Sequence, residues 1–440
     1  MADLTSSFSR LFHRGQISRA LPGNLFRSAL PAALRFSGAG LQLITAVLIA
    51  RGLGVKESGV YFFWTAAMME AGRVATFGLD RIALQQVPRL KEGTGETEKF
   101  LAPLRATSLL IALVISGGLS LYALFTDGIS GHSFWWCFLP PVCVLGVTMS
   151  MINAETMVGL GRPVLAILYR HSIVAFVLCP AILLMGERLT AELALAVYAG
   201  AFFLSGFGAF WGPGFSRSEA PLRIPSGAQF TGHLKEGGPI FLSYLFSSLA
   251  FIVPLIILER TNSGDQISIV TTSFRIFVLV DVLARAVHSL VMPGLSLAAH
   301  EKQGRRIEQI YRGTVLRGFL IMGVPVLGIL FFGRAVMEVF GRDFGSGTGV
   351  LQLFMIFALL SVLLGPAHQL LLMVGRTRQM AGLSLIQCVF TSVLGLALVP
   401  RFGAEGLAIV IGAGVLLEKV LYLLASWQVV SRQRSADSSN

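Results

Sequence analysis

The chain has 440 residues, of which 54% are hydrophobic and 13% charged, and its mean hydropathy is +0.73. About a quarter of a soluble domain is charged, so this composition excludes an ordinary soluble fold and points to lipid as the solvent. The net charge of +12 belongs to loops beside anionic lipid, because no contiguous basic domain is present to bind nucleic acid.

In chain order, residues 1–27 carry Arg10, Arg14, Arg19 and Arg27 against one acid, Asp3, with Leu4, Phe8, Leu11 and Phe12 on one helical face. This predicts a basic amphipathic segment resting on a cytoplasmic membrane surface. It lacks the compact apolar stretch and small-residue cleavage site of a signal peptide. Apolar runs bounded by charge, Gly or Pro then predict spans near 28–50, 58–79, 104–125, 134–158, 164–186 and 190–212. Six more follow near 239–259, 267–292, 316–340, 349–373, 379–400 and 404–430. The expected fold class is an all-α polytopic membrane protein of about twelve transmembrane helices. An N-terminal six-helix bundle (28–212) and a C-terminal one (239–430) are joined by a cytoplasmic linker (213–238) and followed by a cytoplasmic tail (431–440).

About 23 of the 35 Lys and Arg fall in the alternate connections that include both termini, and about 7 in the opposite set. The positive-inside rule therefore predicts both termini in the cytoplasm. Every outer loop is short, which leaves no room for the external catalytic segment of a glycan polymerase or ligase. An offset of 205 aligns Ser58-Gly59 with Ser263-Gly264 and Pro88 with Pro293, while Gly161-Arg162 and Gly375-Arg376 follow the fourth and tenth spans. Both halves keep one orientation, so this predicts a parallel repeat about an axis along the membrane normal.

Charge at bilayer depth is costly unless it meets a partner or a wet cavity. Counted from Gly59 and Gly264 at about 1.5 Å per residue, Glu70 and Arg275 both lie about 16 Å down, at equivalent repeat positions. Arg73 is one turn beyond Glu70, Asp281 and Arg285 form an i, i+4 pair, His288 follows, and Arg35 sits nearer the cytoplasmic side of the first span. Arg35, Arg73, Arg275 and Arg285 together suit the basic lining of a cavity for a diphosphate. Two readings stand for the paired groups: Glu70 with Arg73, and Asp281 with Arg285, either serve that cavity or neutralise each other along their own helices. Arg35 and Arg275 have no acid three or four residues away, which favours the cavity. Glu70, Asp281, His288 and His368 are the coupling or charge-pair candidates, and His171 is a further titratable group at a span. Glu155 is placed to answer Arg170, whereas adjacent Glu418 and Lys419 point about 100° apart.

Pro180, Pro239, Pro254 and Pro325 are candidate hinges, and the glycines Gly200, Gly206, Gly208 and Gly212 suit close helix packing. Cys137, Cys143, Cys179 and Cys388 lie in apolar runs without CxxC spacing and read as small hydrophobes. There is no GxxxxGK[ST] loop and no HExxH motif, so no nucleotide, cofactor or metal site is expected and no catalytic constellation is visible.

Ala50-Arg51-Gly52-Leu53-Gly54 through Gly59-Val60-Tyr61, then Phe77-Gly78-Leu79-Asp80-Arg81, resemble the opening of polysaccharide (O-antigen, Wzx-type) flippases. Gly159-Leu160-Gly161-Arg162 and Phe402-Gly403-Ala404-Glu405-Gly406-Leu407-Ala408 are similar to later landmarks of that family, part of the multidrug/oligosaccharidyl-lipid/polysaccharide exporter superfamily. The resemblance implies two six-helix bundles around a central cavity that opens alternately to each side. It implies a flippase rather than an enzyme, in a bacterial inner membrane. The substrate would be an undecaprenyl-diphosphate-linked oligosaccharide for lipopolysaccharide or other cell-surface polysaccharide synthesis. It also implies cationic cavity positions on the first, second and eighth helices, here Arg35, Arg73 and Arg275, and membrane lipids with a polysaccharide polymerase or glycosyltransferases as partners. A cation-coupled multidrug antiporter of the same superfamily, a major-facilitator transporter and a membrane glycan polymerase or ligase are the alternatives. Arginine in the cavity disfavours a cationic drug, and Ala83 and Leu84 depart from the major-facilitator loop motif.

Overall fold

A computed structural model describes residues 22–90, 95–125, 134–210, 222–261, 265–280, 304–365, 367, 371 and 377–437. Among them there is no strand. The first helical run, α1 (Pro22–Ala75), is broken at Gly54, whose φ of 73° and ψ of 178° a residue with a Cβ adopts only under strain. The break divides it into the first span (22–53) and the second (55–75). Phe77 (φ 54°) and Gly78 (φ 75°) then turn the chain into α2 (Leu79–Gln86).

The third and fourth spans are α3 (Glu96–Phe125) and α4 (Leu139–Gly159). The fifth is composite: α5 (Pro163–Ile167), a π-helical turn (Leu168–Ser172) and α6 (Ile173–Met185). The sixth and seventh are α7 (Ala191–Gly208) and α8 (Gly227–Thr261). The described part of the eighth, α9, covers 265–280. The ninth and tenth are α10 (Gly304–Glu338) and α11 (Thr348–Leu363). The last run, α12 (Thr377–Asp437), breaks at Gly403 (φ 53°) into the eleventh and twelfth spans.

Seven of these runs are by themselves long and apolar enough to cross a membrane, and the bent fifth span makes an eighth. One of them, Gln379–Gln428, holds 50 residues, twice the length a single crossing needs. The chain is a multi-pass membrane protein of the all-α class with about twelve helices. Large apolar side chains such as Val114, Leu184 and Phe331 are exposed, as lipid-facing positions must be.

Several local expectations change. The second span ends at Ala75, not at residue 79, because Phe77 and Gly78 leave the right-handed region. The second half of the 213–238 connection is already helical, since α8 begins at Gly227. Pro180, Pro239, Pro254 and Pro325 all lie inside continuous helix. The breaks fall instead at the π-turn, where the fifth span bends by 42°, and at Phe332 (φ −105°, ψ 20°). A π-turn frees backbone groups to accept side-chain donors, and the Tyr169 carbonyl there accepts from the hydroxyls of Ser150 and Ser205. Of the packing glycines, Gly206 fulfils the role: a Cβ on it would lie 2.4 Å from the Gly146 carbonyl oxygen, and Asn153 donates to its carbonyl at 2.8 Å. Gly200 and Gly208 face open space, and Gly212 lies outside the described residues.

Candidate functional site

A cavity of about 280 Å³ lies between the two halves of the chain. Its walls come from the first span (Gln42, Leu43, Ala46), the second (Phe62, Thr65, Met69, Glu70), the sixth (Tyr198), the seventh (Phe251) and the eighth (Thr271, Phe274, Arg275, Val278). Aromatic and aliphatic groups dominate, and among the described residues the charged side chains at its surface are Glu70 and Arg275. Arg275 is half-buried, and its guanidinium carbon sits 4.3 Å from the centre of the Phe62 ring while Nη2 donates to Thr65 Oγ1 at 3.3 Å. No carboxylate pairs with it among the described residues.

The second span is the spine of the site. Towards the predicted outer face it meets the eighth span: the Ser58 and Ser268 hydroxyls share a hydrogen bond of 2.7 Å, and Thr65 meets Arg275. Both pairs are 210 residues apart, so these two helices run in the same direction. The contacts correct the depth inferred from the sequence. The second span's helix starts at 55 and the eighth's described helix at 265, so Arg275 lies level with Thr65. Glu70 lies five residues further along, about 7.5 Å deeper at the helical rise. The contacts pair positions 210 apart, whereas the common origin taken from the sequence pairs positions 205 apart.

Towards the predicted cytoplasmic face the same spine leans on the seventh span. Arg73 and Glu70 form an ion pair at 3.0 Å, Arg73 donates to Ser248 Oγ at 3.1 Å, and Ser248 donates to Glu70. Of the two readings of this pair, mutual neutralisation describes the geometry, with Ser248 as a third member; Arg73 is not among the cavity-lining residues. Below it the Arg73 guanidinium lies 5.7 Å from the centre of the Tyr244 ring, and Phe77 stacks on Phe241 at 4.2 Å. A Cβ on Gly237 would come within 2.3 Å of the Phe77 carbonyl oxygen, so the backbones touch.

The turn after the second span closes this contact with charge. Tyr244 donates to Asp80 at 3.1 Å and accepts from Arg81 Nε at 3.0 Å. Arg81 also lies 3.5 Å from Glu155, which pairs with Arg170 at 2.5 Å as its position suggested. A second polar cluster joins the seventh, eleventh and twelfth spans: Ser243 to Ser384 (3.2 Å), Ser384 to Tyr422 (3.3 Å), and Tyr422 to Glu418 (2.9 Å). Lys419 points away to Ser361 on the tenth span, in keeping with the divergence of adjacent helical positions.

Arg285, Asp281, His288, His368 and the side chains of Arg35 and His171 lie outside what the structure describes. Sequence reasoning overlooked Ser248 and Tyr244, although Ser243, Tyr244, Ser247 and Ser248 form an i, i+4 polar stripe in an apolar span. It also overlooked Arg105, fully buried in the third span, which donates to Glu98 at 3.0 Å and lies 5.0 Å from the Phe210 ring. Its signal was Glu98 two turns earlier on the same helix.

No family model matches the chain. In sequence it is similar, at 25% identity over 399 residues, to a Haloferax volcanii protein described as a probable low-salt glycan biosynthesis flippase, Agl15. The similarity covers 88% of this chain and 79% of that protein. In structure it is similar to the lipid II flippase MurJ in an inward closed conformation, with a TM-score of 0.70 and 16% identity over 91% of this chain and 87% of that one. An inward-facing multidrug resistance MATE transporter of the MOP superfamily gives 0.64 and 16% over 92% and 99%. A MOP superfamily transporter from Pyrococcus furiosus, described as having a binding pocket of reverse polarity, gives 0.61 and 17% over 92% and 96%. The fold is that of these transporters, and the sequence resemblance to glycan flippases is met by a glycan flippase relative.

Proposed function

We propose that this chain is a flippase that moves an undecaprenyl-diphosphate-linked oligosaccharide from the inner to the outer leaflet of a bacterial inner membrane by alternating access. The product would feed O-antigen, capsule or exopolysaccharide synthesis. The observation that carries the reading is Arg275, a cavity-facing guanidinium between the two halves with a hydroxyl and a ring as partners and, among the described residues, no carboxylate. A half-buried cation at bilayer depth is stabilised most by an anionic ligand, and a guanidinium fork suits phosphate oxygens. The glycan-flippase relative supports a lipid-linked glycan as the cargo class.

In this reading Arg35 and Arg285 extend the basic surface along the first and eighth spans, and Arg73 with Glu70 forms its inner boundary. Asp281, His288 and His368 are the remaining coupling candidates. Both termini are cytoplasmic, as the Lys and Arg distribution requires, and the bundles 28–212 and 239–430, joined by the 213–238 connection, rock against each other. A polysaccharide polymerase or glycosyltransferase would take up or supply the cargo. Cation-coupled drug antiport is the second reading, favoured by Glu70 on the same aromatic-walled cavity.

The test is deletion of the protein in its native cell, with the leaflet location of the undecaprenyl-diphosphate glycan and the surface polysaccharide measured. The flippase reading expects glycan to accumulate on the cytoplasmic leaflet, wild type to restore export, and Arg35→Ala and Arg275→Ala to fail despite normal insertion. Unhindered delivery to the outer leaflet, with lost efflux of a cationic dye, would transfer the assignment to the antiporter.

A further inference from the structure

The guanidinium of Arg275 occupies two places at once: it faces the cavity, and it is the innermost link of the contact between the second and eighth spans. Ser58, Phe62 and Thr65 recur at i, i+4 and i+7, so they share one face of the second span, and Ser268 and Arg275 are seven apart on the eighth. The contact they make runs for about 10 Å along the helices. It starts at the Ser58–Ser268 hydrogen bond and ends where Arg275 meets Phe62 and Thr65. The cavity is lined by Phe62, Thr65 and Arg275 at the inner end of this contact and continues past it to Glu70 and Val278, while Arg73 on the second span turns to the seventh.

We infer that Arg275 is the strut that holds the outer side closed, and that an anionic phosphate headgroup entering the cavity withdraws it from Phe62 and Thr65, so that binding itself loosens the outer seal. This rests on the flippase reading and deepens it: Phe62 and Thr65 become positioning residues that set the resting place of the substrate-binding cation. The physical ground is a competition between partners. In the resting contact the cation has a ring face and a neutral hydroxyl at 3.3 Å, at the long end of hydrogen-bond range. A phosphate offers charge-assisted, bidentate hydrogen bonds, which are shorter and stronger. A ligand shifts a two-state equilibrium only through unequal affinity for the two states, and the inequality here is the contact that Arg275 gives up. Neutral lipids of the same length would leave the strut in place.

Full-length protein carrying Ser58→Cys and Ser268→Cys, reconstituted in nanodiscs, reads the seal through the rate of disulfide formation between the two positions. The single-cysteine variants supply the background from the native thiols. The anionic probe is farnesyl diphosphate, with farnesol as its neutral counterpart and calorimetry as the binding readout. The expected result is a disulfide that forms readily without probe and about fivefold more slowly with saturating farnesyl diphosphate, but not with farnesol. In an Arg275→Gln background the diphosphate effect is lost. Thr65→Val, which keeps shape and removes the acceptor, slows disulfide formation without any probe.

Three results would overturn the inference: no disulfide in the unliganded protein, an unaltered rate in Thr65→Val, or tight farnesyl diphosphate binding through Arg275 with an unchanged disulfide rate. The last leaves Arg275 as a phosphate ligand and removes only its role as a strut. Binding that is absent, or the same in Arg275→Gln, removes the reading beneath it as well.

Discussion

From residue 58 to 65 the second span meets the eighth through a pair of serine hydroxyls and a guanidinium laid on a ring. From residue 70 to 81 the same helix and the turn after it meet the seventh through touching backbones, a stacked Phe77–Phe241 pair and linked charges. Parting the first contact exposes small polar groups that water or a phosphate can satisfy. Parting the second breaks close backbone packing, strips ring faces and separates Asp80 and Arg81 from the Tyr244 hydroxyl. The two contacts on one helix therefore differ in what parting them exposes, and the more polar one lies beside Arg275, which has no carboxylate partner among the described residues.

The largest way to break this comparison is Gly237→Val. A Cβ there already meets the Phe77 carbonyl at 2.3 Å and its ring at 3.1 Å, so the seventh span must shift, at about 2–3 kcal/mol. The thermal midpoint of the reconstituted protein should drop clearly, and an unchanged midpoint would show that the backbone contact does not hold this side. Glu155→Gln comes next, because it removes the carboxylate shared by Arg81 and Arg170. Those side chains are 40% and 36% exposed, so solvent screening limits the loss to about 1–2 kcal/mol. The same midpoint measurement with added salt sharpens the point: salt should lower the wild type toward the variant.

Tyr244→Phe keeps the ring beside Arg73 and deletes the hydroxyl that joins Asp80 to Arg81, for a loss of about 1 kcal/mol. Thiol-reagent accessibility of a cysteine placed at Ser247 should rise in that variant, and a protected thiol would mean that the hydroxyl is incidental. The smallest effect belongs to Ser58→Ala at the other seam, about 0.5 kcal/mol, since one neutral hydrogen bond is lost where Arg275 persists. Chemical denaturation of paired samples resolves it. A loss as large as that of Gly237→Val would reverse the order of the two seams.

Much of this architecture was legible in the residue pattern. Gly54 and Gly403, each ahead of an apolar run, mark the breaks that divide the 54-residue and 61-residue helical runs into spans, because only glycine enters that backbone region without strain. Arg275 stood out for lacking an acid within one turn, and the structure gives it none among the described residues. Glu155 with Arg170 was legible for the opposite reason, a charge with an answering charge on the next helix. What misled was the origin of the depth scale: Gly59 and Gly264 look alike in sequence, but the second span's helix begins four residues before Gly59, whereas the described helix of the eighth begins one residue after position 264. Pro180, Pro239, Pro254 and Pro325 lie inside helix, since a span tolerates the lost hydrogen bond, while a π-turn among serines bends without any proline.

Hydropathy and charge alone determined the solvent, the all-helical class, the approximate spans and the presence of an arginine at bilayer depth with no acid within one turn, because a bilayer penalises every unsatisfied polar group wherever it lies along the chain. The tertiary structure decided which partner each polar group takes. Ser58 with Ser268, Arg73 with Ser248, Tyr244 with Asp80 and Arg105 with Phe210 join residues 105 to 210 positions apart in the sequence. Such pairings follow from how the helices rotate and cross, set by close contacts such as Gly237 on Phe77 and Gly206 on Gly146, and helical periodicity within one segment carries no record of them.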